Sequence, residues 1–329
     1  MRRLVYGSPA SDEPSGGVKV FHRHVEVLRA MGHEAAIWHP GSVGFRCSWF
    51  EHDAPVVETP DLHPANDFIV LPEIWATGYV PMLKSQGFKV GIFVQNAYLT
   101  HVNFNTGNPN GIRDAYAQAD LVLSISSDSS RYLEEIHGVP AGKIQPQRYT
   151  VDRRLFHPAE KARLITFMPR KLAEHGARVV SALRPLLPAG WEIVPLDNLA
   201  ERQVAFALSK SAIFLAFSEF EGLPVPPVEA ALAGNVVIGY HGQGGREYWH
   251  APNFIEVDQG DFQQFVFEVR ETLIEIGSGQ LDVEALNAGI DRLAAAFSPA
   301  TERELLEALV SRVRALDAGP SAQVIWSGQ

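Results

Sequence analysis

The chain has 329 residues, 46% hydrophobic and 20% charged, an ordinary globular profile with length enough for two domains. Its 28 Lys and Arg against 38 Asp and Glu leave a net charge of −10, which excludes a general nucleic-acid binder, since that needs clustered cations. The lone Cys47 rules out an internal disulfide or a thiolate metal cluster, MRRLVYGSPAS is too short in its apolar part for a signal peptide, and no run approaches the roughly 18 apolar residues of a membrane span; the expectation is a cytoplasmic protein.

Short β-like runs alternate with helical patterns from the start. Residues 4–7 read as a strand, followed by the loop PSGGVKV. A helix follows in which Val18, Phe21, Val25 and Leu28 recur at helical spacing until Gly32. EAAIWHP, DFIVLPE, KVGIFVQN and ADLVLSIS continue as buried strands, and SSDSSRYLEEIHG as a helix. The charged, proline-containing stretch 148–162 breaks the rhythm and reads as an interdomain connection. The alternation restarts with ARLITFMP, a helix around 177–187, WEIVPLD, a helix around 200–211, AIFLAFS, a helix from Pro227, NVVIGY and NFIEVD, before a mostly helical tail from Asp261. Continuous apolar strands between helices predict parallel sheets covered on both faces. The expected class is α/β, with two Rossmann-like domains at 1–155 and 156–300. Residues 301–329 would form a C-terminal helix and tail packing back on the first domain. In such sheets ligands sit beyond the carboxyl ends of the strands.

Three loops of that kind carry candidate chemistry. Gly16 and Gly17 open a helix, so backbone N–H groups can approach an anion there. The loop is not G-x-G-x-x-G and no acidic residue closes EAAIWHP, so the nicotinamide fingerprint is missing. In MPRK, Arg170 and Lys171 end the second domain's first strand, where two cations suit a diphosphate. In SEFEGLPVPPVEAALAGNVV, Glu221 reads as lying on a connecting loop and Glu229 in the first helical turn, where its bland role is to complement the dipole. That role leaves Glu221 unexplained. At the end of KVGIFVQN, Gln95 and Asn96 are placed to bond hydroxyls. His101 is equally a ligand contact or a packing group, and His22 and His24 read as packing residues.

Glu221-Gly222, Pro226-Pro227-Val228-Glu229-Ala230 and Gly234-Asn235-Val236-Val237 resemble the E-x7-E signature of retaining GT-B glycosyltransferases of family 4. SGGVKV, ADLVLSISSDSSRYL, the Val151-Asp152 stretch with Phe156, and GQGGREYW are similar to further segments of that family, in the same order. The resemblance implies a metal-independent, hexosyltransferase-like enzyme without cofactor, using a nucleotide-diphosphate sugar. Its acceptor would be a carbohydrate or lipid-linked glycan, as in polysaccharide biosynthesis, with peripheral membrane association as an option. It implies that Gly16, Gly17, Glu221, Gly222, Leu223 and Glu229 hold the donor, Glu229 through the ribose hydroxyls. Arg170 and Lys171, with Glu221 near the donor sugar, would serve catalysis. The chain departs from the family at Pro224, in the adjacency of Arg170 and Lys171, at Tyr149-Thr150, and in a second domain one βα unit short. Those departures motivate the alternative of a catalytically silent GT-B protein that binds sugar nucleotides or scaffolds a complex.

Overall fold

The computed structural model describes residues 2–13, 15–101 and 109–318. The first sheet comprises β1 (Arg3–Gly7), β2 (Ala35–Trp38), β3 (Val56–Val57), β4 (Asp67–Pro72), β5 (Lys89–Val94), β6 (Leu121–Ser124) and β7 (Ile144–Pro146). Its order is β3-β2-β1-β4-β5-β6-β7, every pair parallel. Helices α1 (Gly16–Ala30), α2 (Ala76–Ser85), α3 (Pro109–Gln118) and α4 (Ser127–His137) cover it. The second sheet holds β8 (Leu164–Phe167), β9 (Glu192–Pro195), β10 (Ile213–Glu221), β11 (Val236–Gln243) and β12 (Phe254–Glu256), in the order β12-β11-β10-β8-β9, again all parallel. Around it lie α5 (Ala173–Leu183), α6 (Glu201–Lys210), α7 (Val225–Leu232), α8 (Phe262–Ser278), α9 (Val283–Ala296) and α10 (Pro299–Ala318).

Strand alternation divides the interior. In the first sheet Val5, Ile69, Leu71, Val90 and Ile92 pack with α2 and α3, while Leu4, Tyr6, Phe68, Val70 and Phe93 face α1. In the second, Ile165, Leu215 and Phe217 face α5 and α8, with Phe217 stacked on Phe265 at 5.0 Å between ring centroids. The remaining faces of the two sheets belong to one continuous core, joined through Tyr149, Val151 and Phe156 of the connecting strap and Phe297 after α9.

The strap is anchored by cations at helix ends. Lys161 Nζ donates to Ser209 O (3.1 Å) and Ala233 O (2.6 Å), and Arg153 donates to Leu232 O (2.7 Å). These carbonyls end α6 and α7, where positive charge is favoured. Burial pushes Lys161 down to about 8. Helix α10 lies against the first domain. Glu302, fully buried, accepts from Thr150 Oγ1 (2.6 Å) and Arg23 (3.3 Å), Arg312 donates to Ile144 O (2.6 Å), and Arg2 pairs with Asp317 (2.7 Å).

Three boundaries differ from the sequence reading. Strand β10 runs on to Glu221 instead of ending at Ser218, because Glu221 pairs with Gln243 after a register shift; Glu221 is therefore a strand terminus, not a loop residue. Helix α7 begins at Val225, two residues before the expected Pro227, which puts Glu229 in its second turn. The dipole acts within the first turn, so the helix-start account of Glu229 loses its basis. Helix α5 starts at Ala173 and ends at Leu183, followed by a short 3-10 turn to Leu186.

Candidate functional site

In each sheet the strand order reverses once, between β1 and β4 in the first and between β8 and β10 in the second. The loops after these strands form a crevice at such a point. On the C-terminal side they are the Met168–Leu172 segment after β8 and the Gly222–Pro224 segment after β10. Lys171 Nζ makes an ion pair with Glu221 Oε1, tying the first loop to the end of β10. Lys171 is 62% exposed and Arg170 80%, with Arg170 Nε 4.0 Å from Asp197 Oδ1, so both cations remain open to an incoming anion.

Glu229 stands apart. Its side chain is half-buried, and among the described residues no hydrogen bond or ion pair satisfies its carboxylate. Desolvation pushes the carboxyl up to about 7, the negative charge of Glu201 adding to the rise and Lys19 opposing it. Lys19 in the first turn of α1 and Glu201 at the start of α6 themselves pair across the domains at 2.5 Å. A desolvated carboxylate without a donor is a costly arrangement unless something else supplies the donors.

The two domains meet on bare backbone. A Cβ placed on Gly222 would lie 1.9 Å from Gln95 O, and one on Gly244 would lie 1.8 Å from Gly222 O. Only glycine lets these three loops layer. Asn96 Nδ2 donates to Phe220 O (2.9 Å) and Gln95 Nε2 to Gly17 O (3.2 Å). The glycine loop, the end of β5 and the end of β10 are thus brought into one assembly. Farther along, Glu247 of the GGRE turn accepts from Ser127 N at the start of α4 (2.7 Å) and pairs with Arg148.

Of the residues expected from sequence, Gly17 lies against Gln95, Gly222 meets Gln95 and Asn96 across the domains, Lys171 pairs with Glu221, and Glu229 feels the charges of Lys19 and Glu201. Gly16 opens α1 with open space around it, and Arg170 lies nearest Asp197. The side chains of Gln95 and Asn96 are engaged with Gly17, Phe220 and Tyr98 N (3.1 Å). Leu223 is buried in the core, which leaves only its main chain for a ligand. His101 ends a short 3-10 helix and its side chain lies outside the described residues. His22 and His24 are fully buried. Among the described residues no group of three or more His, Cys, Asp or Glu is arranged to hold a metal ion, and no helix is long and apolar enough to cross a membrane.

Glu73 escaped the sequence reading. It directly follows β4, is 4% exposed, and accepts from Asn96 N (2.9 Å), so it pins the turn that meets Gly222. Burial pushes its carboxyl up to about 7 despite that bond. The signal was available, since DFIVLPE ends a parallel strand as MPRK does. Tyr149 and Thr150, which depart from the family pattern, dock the strap: Tyr149 packs on Phe297 at 5.5 Å, and Thr150 holds Glu302. Pro224 accepts from Tyr248 Oη (2.7 Å) and directly precedes α7.

No family profile and no curated protein matches the sequence. Solved structures do match. Sucrose-phosphate synthase from Thermosynechococcus elongatus superposes with a TM-score of 0.70 at 13% identity, over 96% of this chain and 100% of that one. Anabaena HepE in complex with UDP gives 0.72 at 13% identity, over 94% and 100%. Trehalose 6-phosphate synthase from Burkholderia multivorans gives 0.66 at 12% identity, over 97% and 100%. At these identities the likeness is one of fold, and with two parallel Rossmann-like sheets facing across a cleft, the fold of this chain is GT-B.

Proposed function

We propose that the protein is a glycosyltransferase that moves a sugar from a nucleoside-diphosphate donor to a hydroxyl acceptor, with retention at the transferred carbon as the E-x7-E resemblance implies. The carrying observation is the pair of unlike carboxylates near one switch point: Glu229 half-buried and without a hydrogen-bond partner among the described residues, Glu221 ion-paired to an exposed lysine. Glu229 suits ribose hydroxyls, which supply the two donors it lacks. Lys171 and Arg170 suit the diphosphate. Its arrival would take Lys171 from Glu221 and free that carboxylate to accept from hydroxyls of the donor sugar.

In the transfer, the bond from the sugar carbon to the diphosphate oxygen breaks and its electron pair leaves with the diphosphate. The acceptor oxygen bonds to that carbon, and its proton passes to a phosphate oxygen of the leaving group. Charge on the diphosphate grows as the bond breaks, so Lys171 and Arg170 would act most strongly there. Binding of UDP by HepE supports the donor class. Thermal shift with UDP, GDP and ADP tests it: one should raise the melting temperature in wild type, and Glu229→Gln should abolish most of the rise. No shift with any of the three removes the donor site.

The silent-binder alternative keeps one observation in its favour, the five-stranded second sheet. It predicts the same thermal shift with no hydrolysis of any sugar nucleotide.

A further inference from the structure

Phe220 immediately precedes Glu221 yet is 58% exposed, where the end of β10 meets the first domain. It is held firmly all the same. Its carbonyl accepts from Asn96, and its ring lies 5.6 Å from that of Tyr98, with which it makes a tilted contact. Tyr98 is fixed in turn: its N–H donates to Asn96 Oδ1, its hydroxyl donates to Asp128 Oδ2 at 2.6 Å, and its ring meets Tyr132 edge-on at 5.3 Å. Around these rings stand polar groups with free capacity. Arg131, 58% exposed, lies 3.5 Å from Asp128, and the exposed Arg246 donates to Gln243 Oε1 at 3.1 Å while its charge reaches Tyr98.

A pre-set aromatic face with carboxylate and guanidinium groups at its rim matches one ligand chemistry. A pyranose ring has a face of C–H bonds, weakly positive, which rests on the negative face of an aromatic ring, while its hydroxyls point outward to charged and amide groups. An acyl chain would need a broad dry groove, and the rim charges argue against one. We infer that Phe220, backed by Tyr98, is an acceptor subsite that takes a pyranose ring, so that the acceptor class is a carbohydrate. The inference rests on the transfer reading above: the Phe220 ring leans on Tyr98, which Asp128 of the first domain holds, whereas the donor groups Arg170, Lys171 and Glu229 belong to the second domain.

The test compares wild type, Phe220→Ala and Phe220→Trp. Saturation-transfer NMR with a gluco-, a galacto- and a manno-oligosaccharide reads the platform. Hydrolysis of the glucose conjugates of uridine, guanosine and adenosine diphosphate reads the donor side. At least one oligosaccharide should receive saturation at its ring C–H protons in wild type. That affinity should fall about tenfold in Phe220→Ala, the size of one lost aromatic contact, and return in Phe220→Trp. Donor hydrolysis should stay within about twofold in both variants, a change small in free energy. No saturation from any of the three sugars, or equal saturation in Phe220→Ala, overturns the platform and leaves the transfer reading standing. Binding to phosphatidylglycerol vesicles that depends on Phe220, in place of sugar binding, also overturns it. Phe220-dependent sugar binding without hydrolysis of any donor sinks the transfer reading instead, and with it the acceptor role.

Discussion

The two faces of the cleft are built in opposite ways. On the N-terminal face the polar groups at the ends of β4 and β5 are spent on their neighbours: Glu73 holds Asn96, Asn96 holds Phe220 and Tyr98, and Gln95 holds Gly17. On the C-terminal face charge stays exposed, in Arg170 and in Lys171 with its partner Glu221, and Glu229 has no hydrogen-bond partner among the described residues. The difference teaches a division of labour. One face sets the geometry of the closed cleft, and the other keeps its electrostatic capacity for a ligand.

The largest effect should come from the open charges. Lys171→Ala or Arg170→Ala should lower turnover about 10²–10³-fold, the cost of removing one oriented group at a developing charge, with a smaller loss of donor affinity. Steady-state kinetics at saturating donor checks it; wild-type turnover in both would dissolve the contrast between the faces. Glu229→Gln comes next, with a loss of about 1.5–3 kcal/mol in nucleotide affinity for a bond to a charged group. The wild-type carboxyl, held up to about 7, gains protons as pH falls through that value and then accepts more weakly. Calorimetric affinity should therefore weaken below about pH 7 in wild type, and the weakening should be flatter in Glu229→Gln.

The geometric face makes its own predictions. Gly222→Ala drives a methyl into Gln95 O and should cost about 1–3 kcal/mol of stability, read as a lower denaturant midpoint. Unchanged stability would mean the seam is not tight. His22 and His24 are held by burial at about 4, below their free value of 6.5. The unfolded chain therefore takes up protons first, and stability should be full above about pH 6.5 and drain away as pH falls towards 4. Denaturant melts across that window check this, and His24→Phe should flatten the acid limb. The smallest effect belongs to the half-exposed Lys19–Glu201 pair. Lys19→Ala should change stability by about 0.2–1 kcal/mol, diminishing with added salt.

Much of the fold was legible because parallel strands buried on both faces announce themselves as unbroken apolar runs. DFIVLP and AIFLAFS needed no context to be strands. The loops after those strands followed from the same logic, which is how Gly16, Arg170, Lys171 and Glu221 could be named. What a single sequence could not show was pairing. That Gln95 is bound to Gly17, 78 residues away, depends on how α1 packs on the first sheet, and that Asn96 faces Phe220, 124 residues away, depends on two domains meeting. Glu229 was found for its pattern, but its bland alternative hung on the helix boundary, since two residues of helix start decide whether the dipole explains it. Glu73 was missed because a buried carboxyl looks, in sequence, like a polar residue ending a strand.

Helix α10 has a consequence for how the molecule comes into being. It is the last described helix, yet Glu302, Arg312 and Asp317 fasten it to Arg23, Thr150, Ile144 and Arg2. During synthesis the N-terminal sheet emerges first and has the usual opportunity to fold first. Here one flank of that sheet stays uncovered until α10 has been made, since Leu306, Leu309, Val310 and Val313 of that helix belong to the same core. Birth order and assembly order are therefore uncoupled, and the nascent N-terminal half should expose apolar surface until that helix arrives to close it.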